Sequence, residues 1–245
     1  MFTRYFTKAL FLKEEERGEA DLIFSLFTEN FGKIEVLGKG IRKINAKLRP
    51  QTLPFSLCGV EFVQGKQNKI LTDVFLLDSF KNINSSPIRF LLAQKSTKIF
   101  LKLLANENPD KKIWQHLNSF FKVLNQKDLS LYSLKLLFYY FLWNLFSLLG
   151  FQPELFNCLF CQRKLKPEKL FFLSFEGGVM CFECYLKEKP KEALPISPET
   201  VKIIRKILEG QWEKVSKIKI QKSHFQELKE ISKDYFSKII NEKPL

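Results

Sequence analysis

The sequence predicts an α+β protein: a small all-β domain, then a helical domain carrying a cysteine-rich insertion. Three observations point there. Up to about residue 80 the apolar residues fall in short runs separated by polar turns. After Ser86 the apolar period changes to that of amphipathic helices. Two CxxC pairs then interrupt the helical stretch. The domains expected from these shifts are 1–80 and 81–245, with the insertion at about 154–190.

In chain order, Phe6 to Leu12 is the first apolar run, and the KEEERGEAD segment after it reads as a polar turn. Leu22 to Thr28 is the second, closed by ENFG around Gly32. Lys33 to Leu37 is the third, ended by Gly38 and Gly40. Leu57 to Gln64 and Ile70 to Leu77, joined by a polar QNK turn, complete a set that suits a small barrel or sandwich. Cys58, alone on such a run, reads as a small buried hydrophobe.

Pro87 to Leu104 sets Ile88, Leu91, Leu92, Ile99 and Leu103 at helical spacing, with Ser86 as the expected cap. Asp110 to Asn125 is a second amphipathic helix through Ile113, Trp114, Leu117, Phe120, Phe121 and Leu124. The stretch LYSLKLLFYYFLWNLFSLLGF, residues 131–151, approaches the ~20 apolar residues of a membrane-spanning helix. Lys135 and Asn144 lie inside it, however, and its strongest apolar positions keep three-and-four spacing, which predicts a buried core helix closed by Gly150 and Pro153. Residues 154–190 show little regular pattern. Ser197-Pro198-Glu199 opens a helix stopped by Gly210, and a last amphipathic helix uses Phe225, Leu228, Ile231, Tyr235, Phe236 and Ile239.

Cys158 with Cys161 and Cys181 with Cys184 give C-x2-C-x19-C-x2-C, a spacing that zinc sites use. Each CxxC turn can point two thiolates at one point, and two such turns complete a tetrahedron around one Zn²⁺ ion. Four sulfur ligands leave no open position, so such an ion is structural rather than catalytic. A redox pair is the competing reading of the same cysteines. Lys164, Lys166 and Lys169 are expected to offset the thiolate charge. Cysteines so arranged suit a reducing cytoplasm, and MFTRYFTKAL shows neither the apolar core nor the cleavage site of a signal peptide.

Forty Lys and Arg against 26 Asp and Glu give a formal net charge of +14, which favours a polyanionic partner, nucleic acid or an acidic membrane surface. The densest run is GKGIRKINAKLRP with its flank: Lys33, Lys39, Arg42, Lys43, Lys47 and Arg49, opposed only by Glu35. On a small β-barrel such a rim makes a groove for a single-strand backbone. Lesser clusters lie at Lys95, Lys98 and Lys102 and at Lys214, Lys217, Lys219 and Lys222. His116 and His224 each sit in an amphipathic helix and read as half-buried or solvated rather than catalytic. No phosphate-binding loop, HExxH or GxSxG motif occurs, so a non-enzymatic protein is expected.

Several of these residues also resemble a known family. ALFLKEEERGEADLIFSLFTENFGKIEVLGKGIRK resembles the amino-terminal region of the RecO family through Gly18-Glu19-Ala20-Asp21, Phe27-Thr28, Gly32-Lys33, and Lys39-Gly40 followed by Arg42. Leu53-Pro54-Phe55 is similar to that family's step into its next strand. LLGFQPELFNCLFC and SFEGGVMCFEC resemble its two cysteine knuckles. The likeness runs from about residue 9 to 208. The ending FSKIINEKPL departs from the basic finish of the family.

The resemblance implies an OB-fold nucleic-acid-binding domain followed by a helical domain with an inserted zinc motif. It implies a mediator of DNA repair and recombination that binds single- and double-stranded DNA and anneals strands. With RecR, such a protein loads RecA onto strands coated by single-strand-binding protein, in the bacterial cytoplasm at the nucleoid and without a membrane. Lys33, Lys39, Arg42, Lys43, Lys47 and Arg49 are then the expected DNA contacts. Lys95 and Lys98, on charge alone, are the expected contacts for the acidic carboxyl-terminal tail of single-strand-binding protein. The main alternative is a zinc-stabilised protein–protein adaptor without direct DNA binding. A nuclease or glycosylase with a structural zinc motif, and a membrane protein resting on residues 131–151, are the remaining readings.

Overall fold

The computed structural model describes residues 3–104 and 108–242. The chain divides into two compact units, Met1–Leu134 and Lys135–Leu245. The first begins with five strands: β1 (Arg4–Arg17), β2 (Asp21–Thr28), β3 (Gly32–Gly38), β4 (Leu57–Gln64) and β5 (Lys69–Asp78). They close into a barrel in the order β1-β2-β3-β5-β4, with β3 and β5 parallel and the other neighbours antiparallel. This is the five-stranded Greek-key order of an OB-fold. Alternate residues fill the interior, among them Phe11, Phe24, Leu26, Val36, Val60, Phe62 and Val74. Cys58 lies wholly buried among them, and burial raises its thiol pKa above the usual range.

The KEEERGEAD turn is the first correction. Lys13 to Arg17 continue β1, paired with Asp21 to Ser25, and the turn shrinks to residues 18–20 with Gly18 at φ +62°. These charged residues are exposed, so no apolar alternation marks them. A register shift between Phe11 and Lys13 breaks the period as well.

After the barrel come α1 (Lys81–Asn84), α2 (Pro87–Leu103) and α3 (Lys111–Leu124), all within the first unit. Asp110 caps α3, accepting from the amides of Lys112 and Ile113 at 2.7 and 2.9 Å. Ser86 does stand at the N-cap of α2, but its side chain makes no capping bond; Pro87 supplies the start. Aromatic rings join helices to barrel: Phe27 meets Phe100 edge-on at 4.9 Å, and Phe55 stacks on Phe121 at 6.0 Å. Arg89 is buried without a carboxylate and donates to the carbonyls of Leu124, Gln126 and Lys127 at the end of α3.

The apolar stretch at 131–151 forms α4 (Leu131–Leu148), closed by Gly150 at φ +88° with the Phe151 amide bonded to Phe146 O. Among the described residues no helix is long and apolar enough to cross a membrane. Asn144 instead donates to Ile207 O at 3.1 Å, and Trp143 donates through Nε1 to Ser232 at 3.0 Å. Trp143 also stacks on Tyr235 at 5.6 Å, so the centre of α4 is the core of the second unit.

Residues 154–190 are more regular than their sequence indicates, which is the second correction. They hold β6 (Leu170–Leu173), β7 (Gly178–Cys181) and α5 (Phe182–Glu188); β8 (Ala193–Ile196) completes a sheet of order β7-β6-β8. Four-residue strands are too short to show a period. Then follow α6 (Pro198–Glu209), capped by Ser197 and ended at Gly210, the short α7 (Trp212–Val215) and α8 (Lys222–Glu242). Of the FSKIINEKPL ending, residues 243–245 lie outside the described residues.

Candidate metal centre and nucleic-acid interface

The first cysteine knuckle leaves a bridge at Asn157 and Lys164. The amide of Cys158 bonds to Arg163 O at 2.9 Å, that of Gln162 to Cys158 O at 2.9 Å, and Gln162 takes a left-handed φ of +58°. This tight turn aims Cys158 and Cys161 at one side. Cys181 ends β7 and caps α5, while Cys184 stands in the first turn of that helix. The two knuckles are pinned together because Leu159 N bonds to Val179 O at 3.0 Å and the Cys181 amide meets the Cys158 sulfur at 3.4 Å. Only glycine fits at 178, where a Cβ would lie 2.8 Å from Leu159 Cδ2 and 2.9 Å from Glu154 O.

The four sulfurs lie within 4.8 Å of one another, and none is in a disulfide. Cys161 and Cys181 are 3.9 Å apart, close to the edge of about 3.8 Å expected for a tetrahedron with metal–sulfur bonds of about 2.3 Å. The donor set therefore fits one tetrahedral, thiophilic ion. Electrostatics agree. Hydrogen bonds from the backbone and side chain of Arg163 lower the Cys161 thiol to about 6. Burial, then hydrogen bonding to the other cysteines, pushes Cys184 up to about 12. Four thiolates so close repel one another unless a cation sits between them.

Of the lysines expected to offset this charge, Lys169 lies over the Phe182 ring at 5.6 Å. Arg163, two residues past the first CxxC, is the cation that meets a cysteine, and it also pairs with Glu183. Its position directly after the knuckle was the available signal.

On the barrel, the basic run forms the β3–β4 connection. Ile41 is buried in the barrel core and Leu48 packs against the same core, bracketing residues 42–47. The family-like segments Gly18–Asp21 and Lys39–Arg42 meet here. The Gly40 amide bonds to Asp21 Oδ1 at 2.7 Å, and the Arg42 amide to Ala20 O at 2.9 Å. Asp21, scattered in the sequence, thus docks the basic loop onto the β1–β2 turn.

The six cations have unequal fates. Lys33 donates to Leu101 O and Leu104 O at 3.3 and 3.2 Å, tying β3 to the end of α2. Arg42 pairs with Glu16 at 3.1 Å, and Arg49 donates to Arg42 O at 3.1 Å. Lys39, Lys43 and Lys47 are exposed and form no ion pair among the described residues. Arg17 was missed by the sequence reading. Its guanidinium bonds to Asn68 Oδ1 at 3.2 Å, joining the end of β1 to the β4–β5 loop, which also carries exposed Lys66.

Lys95 and Lys98 lie on α2 beside a groove of about 1090 Å³. Leu12, Phe55, Phe90 and Leu101 supply its apolar lining and Lys95, Lys98 and Lys102 its cations, while Glu14 adds a carboxylate and Lys13 pairs with Glu15. In the second unit, His224 Nδ1 stands 3.1 Å from Ser197 Oγ, which donates to Glu227 at 2.7 Å. The serine hydroxyl bridges both groups at a helix cap and accepts from the Thr200 amide, so this cluster fixes α6.

The structure thus defines a class: a closed barrel of OB topology followed by helices, with four clustered cysteines in the second unit. Comparison with known families narrows it. The amino-terminal model of recombination protein O matches residues 1–80, and its carboxyl-terminal model matches residues 85–245. The chain belongs to the RecO family. It is similar to the DNA repair protein RecO of Thermoanaerobacter sp. strain X514, 27% identical over 87% of this chain and 84% of that one. It is also similar to the protein of that name from Dehalococcoides mccartyi strain BAV1, 29% identical over 91% and 85%. The one from Desulfitobacterium hafniense strain DCB-2 is 25% identical over 95% and 83%.

Proposed function

We propose that this protein is a non-enzymatic mediator of DNA repair and homologous recombination. It binds single- and double-stranded DNA, anneals complementary strands, and with RecR helps to load RecA onto strands covered by single-strand-binding protein. One observation carries the reading: an OB-type barrel presents Lys39, Lys43 and Lys47, unpaired among the described residues, on a braced loop beside its β1–β2 turn. Ammonium groups so placed hold phosphates while the edges of the bases stay open for pairing. Arg42 and Arg49 brace that loop, and Lys33 braces β3; they contribute long-range charge more than direct contact. The protein works in the bacterial cytoplasm, at the nucleoid.

The cysteine cluster is read as a structural Zn²⁺ site held by Cys158, Cys161, Cys181 and Cys184. The groove beside Lys95 and Lys98 is read as the seat of the acidic carboxyl-terminal tail of single-strand-binding protein, because an acidic peptide matches a groove with lysines along it. A labelled peptide of that kind should bind the wild-type chain and lose affinity roughly tenfold to the Lys95→Glu/Lys98→Glu variant. Equal binding to both would remove the groove from the reading.

Fluorescence anisotropy of labelled single-stranded DNA across a salt series tests the main claim. Replacing Lys39, Lys43 and Lys47 together by Ala should weaken binding strongly and reduce the logarithmic salt slope by about 2. If the wild-type chain fails to bind at low salt, the protein-adaptor reading replaces the mediator.

A further inference from the structure

The β3–β4 loop holds an apolar residue where nothing in the fold requires one. Ile44 lies between Lys43 and Lys47 with a relative exposure of 101%, the highest among the exposed large hydrophobic residues of the described chain. The loop beneath it is braced. Ile41 is 1% exposed in the barrel core. The amides of Lys43, Ala46 and Arg49 bond to Gly40 O, Lys43 O and Ala46 O at 3.1, 3.0 and 3.3 Å, folding the segment into successive turns. Ile44 is thus held out on a shaped support.

Single exposed apolar residues are common on protein surfaces and mean little alone. Here the setting is specific, because exposed Lys39, Lys43 and Lys47 share its loop and form no ion pair among the described residues. A partner that satisfies both must be anionic outside and apolar a few ångströms further in. A single nucleic-acid strand has that profile, with phosphates along its edge and stacked base faces within. Aliphatic side chains do enter base steps in this way.

We propose that Ile44 is a wedge that enters between adjacent bases of a strand whose phosphates are held by Lys39, Lys43 and Lys47. The inference rests on the nucleic-acid reading of the loop and adds to it a direct contact with the bases. Opening one step by a wedge leaves the pairing edges of the bases unbonded, so it is compatible with annealing.

The test uses a single strand containing 2-aminopurine, whose fluorescence rises when it is unstacked, titrated with the full chain at several salt concentrations. Wild type and Ile44→Leu should brighten the probe. Ile44→Ala should bind about tenfold more weakly with an unchanged salt slope and leave the probe dim. Its thermal midpoint should equal that of wild type, because the side chain is wholly exposed. Wild-type brightening by Ile44→Ala, or salt-dependent binding of wild type without brightening, overturns the wedge and leaves the phosphate contacts standing. Absence of salt-dependent binding by wild type sinks both together.

Discussion

The basic loop of the barrel and the cysteine lobe of the second unit are both short, polar segments, yet they hold their shapes by different means. The loop borrows its order from a large apolar interior: Ile41 and Leu48 reach into the barrel core, and Asp21 fixes the backbone at Gly40, just before Ile41. The lobe is anchored on one side, where Phe172 of β6 packs on Trp143 and Tyr235, and has a small interior at its cysteine end. The buried cluster there consists of Leu173 and Met180 with Cys158, Cys181 and Cys184, ringed by half-buried Leu159, Leu165 and Tyr185, so three of its five buried members are cysteines of the candidate metal centre. A core that small cannot offset the conformational entropy of the segment around it. Charge can be displayed on a surface wherever a core lies beneath it, whereas a segment with so few apolar residues around its cysteines gains most from a cross-link between them.

The largest effect should come from removing the proposed metal cross-link. Treatment with a strong chelator, or Cys184→Ser, should destabilise the lobe by several kcal/mol, in keeping with the folding energy of structural metal sites. Amide exchange gives a separate reading of each region. Amides of β6 and β7 should lose protection while those of β1 to β5 keep theirs. Purified protein without metal, protected to the same degree in β6 and β7, would show that the lobe stands on its packing alone and would erase the contrast.

The two regions also differ in how far the sequence disclosed them. The cysteine cluster was legible because metal geometry constrains spacing along the chain, two residues within each knuckle. The strands between the knuckles were not. Leu170–Leu173 and Gly178–Cys181 are four residues each, and their order comes from pairing with partners distant in sequence rather than from any local period. The barrel strands showed themselves as short apolar runs between polar turns except at the far end of β1, where Lys13 to Arg17 are all exposed. Among the basic residues, charge was legible but partners were not. It could not separate Lys33, held by two helix-end carbonyls, from Lys39, which is exposed. Nor could it show that Asp21 meets the amide of Gly40 nineteen residues away. Helix caps divided along the same line: Asp110 and Ser197 bond as their positions imply, whereas Ser86 occupies the cap site without bonding.

A smaller effect sharpens the comparison from the barrel side. Ile41→Ala removes an apolar anchor that is 1% exposed and touches the space above Gly38, where a Cβ would meet Ile41 Cδ1 at 3.1 Å. Truncating such a side chain costs about 2–4 kcal/mol, set by how well the barrel closes around the gap. The loss should be the same with and without chelator, since no cysteine ligand lies in the barrel unit. DNA binding should fall too, although no charge has been removed. With the backbone between Lys39 and Arg49 loosened, the ammonium groups must be ordered anew at each encounter, so affinity drops while the number of neutralised phosphates and hence the salt slope stay nearly constant. Urea unfolding and a salt titration of DNA affinity on the same variant check both halves. A slope that falls with the affinity would mean that Ile41 positions the lysines one by one rather than bracing the loop as a whole.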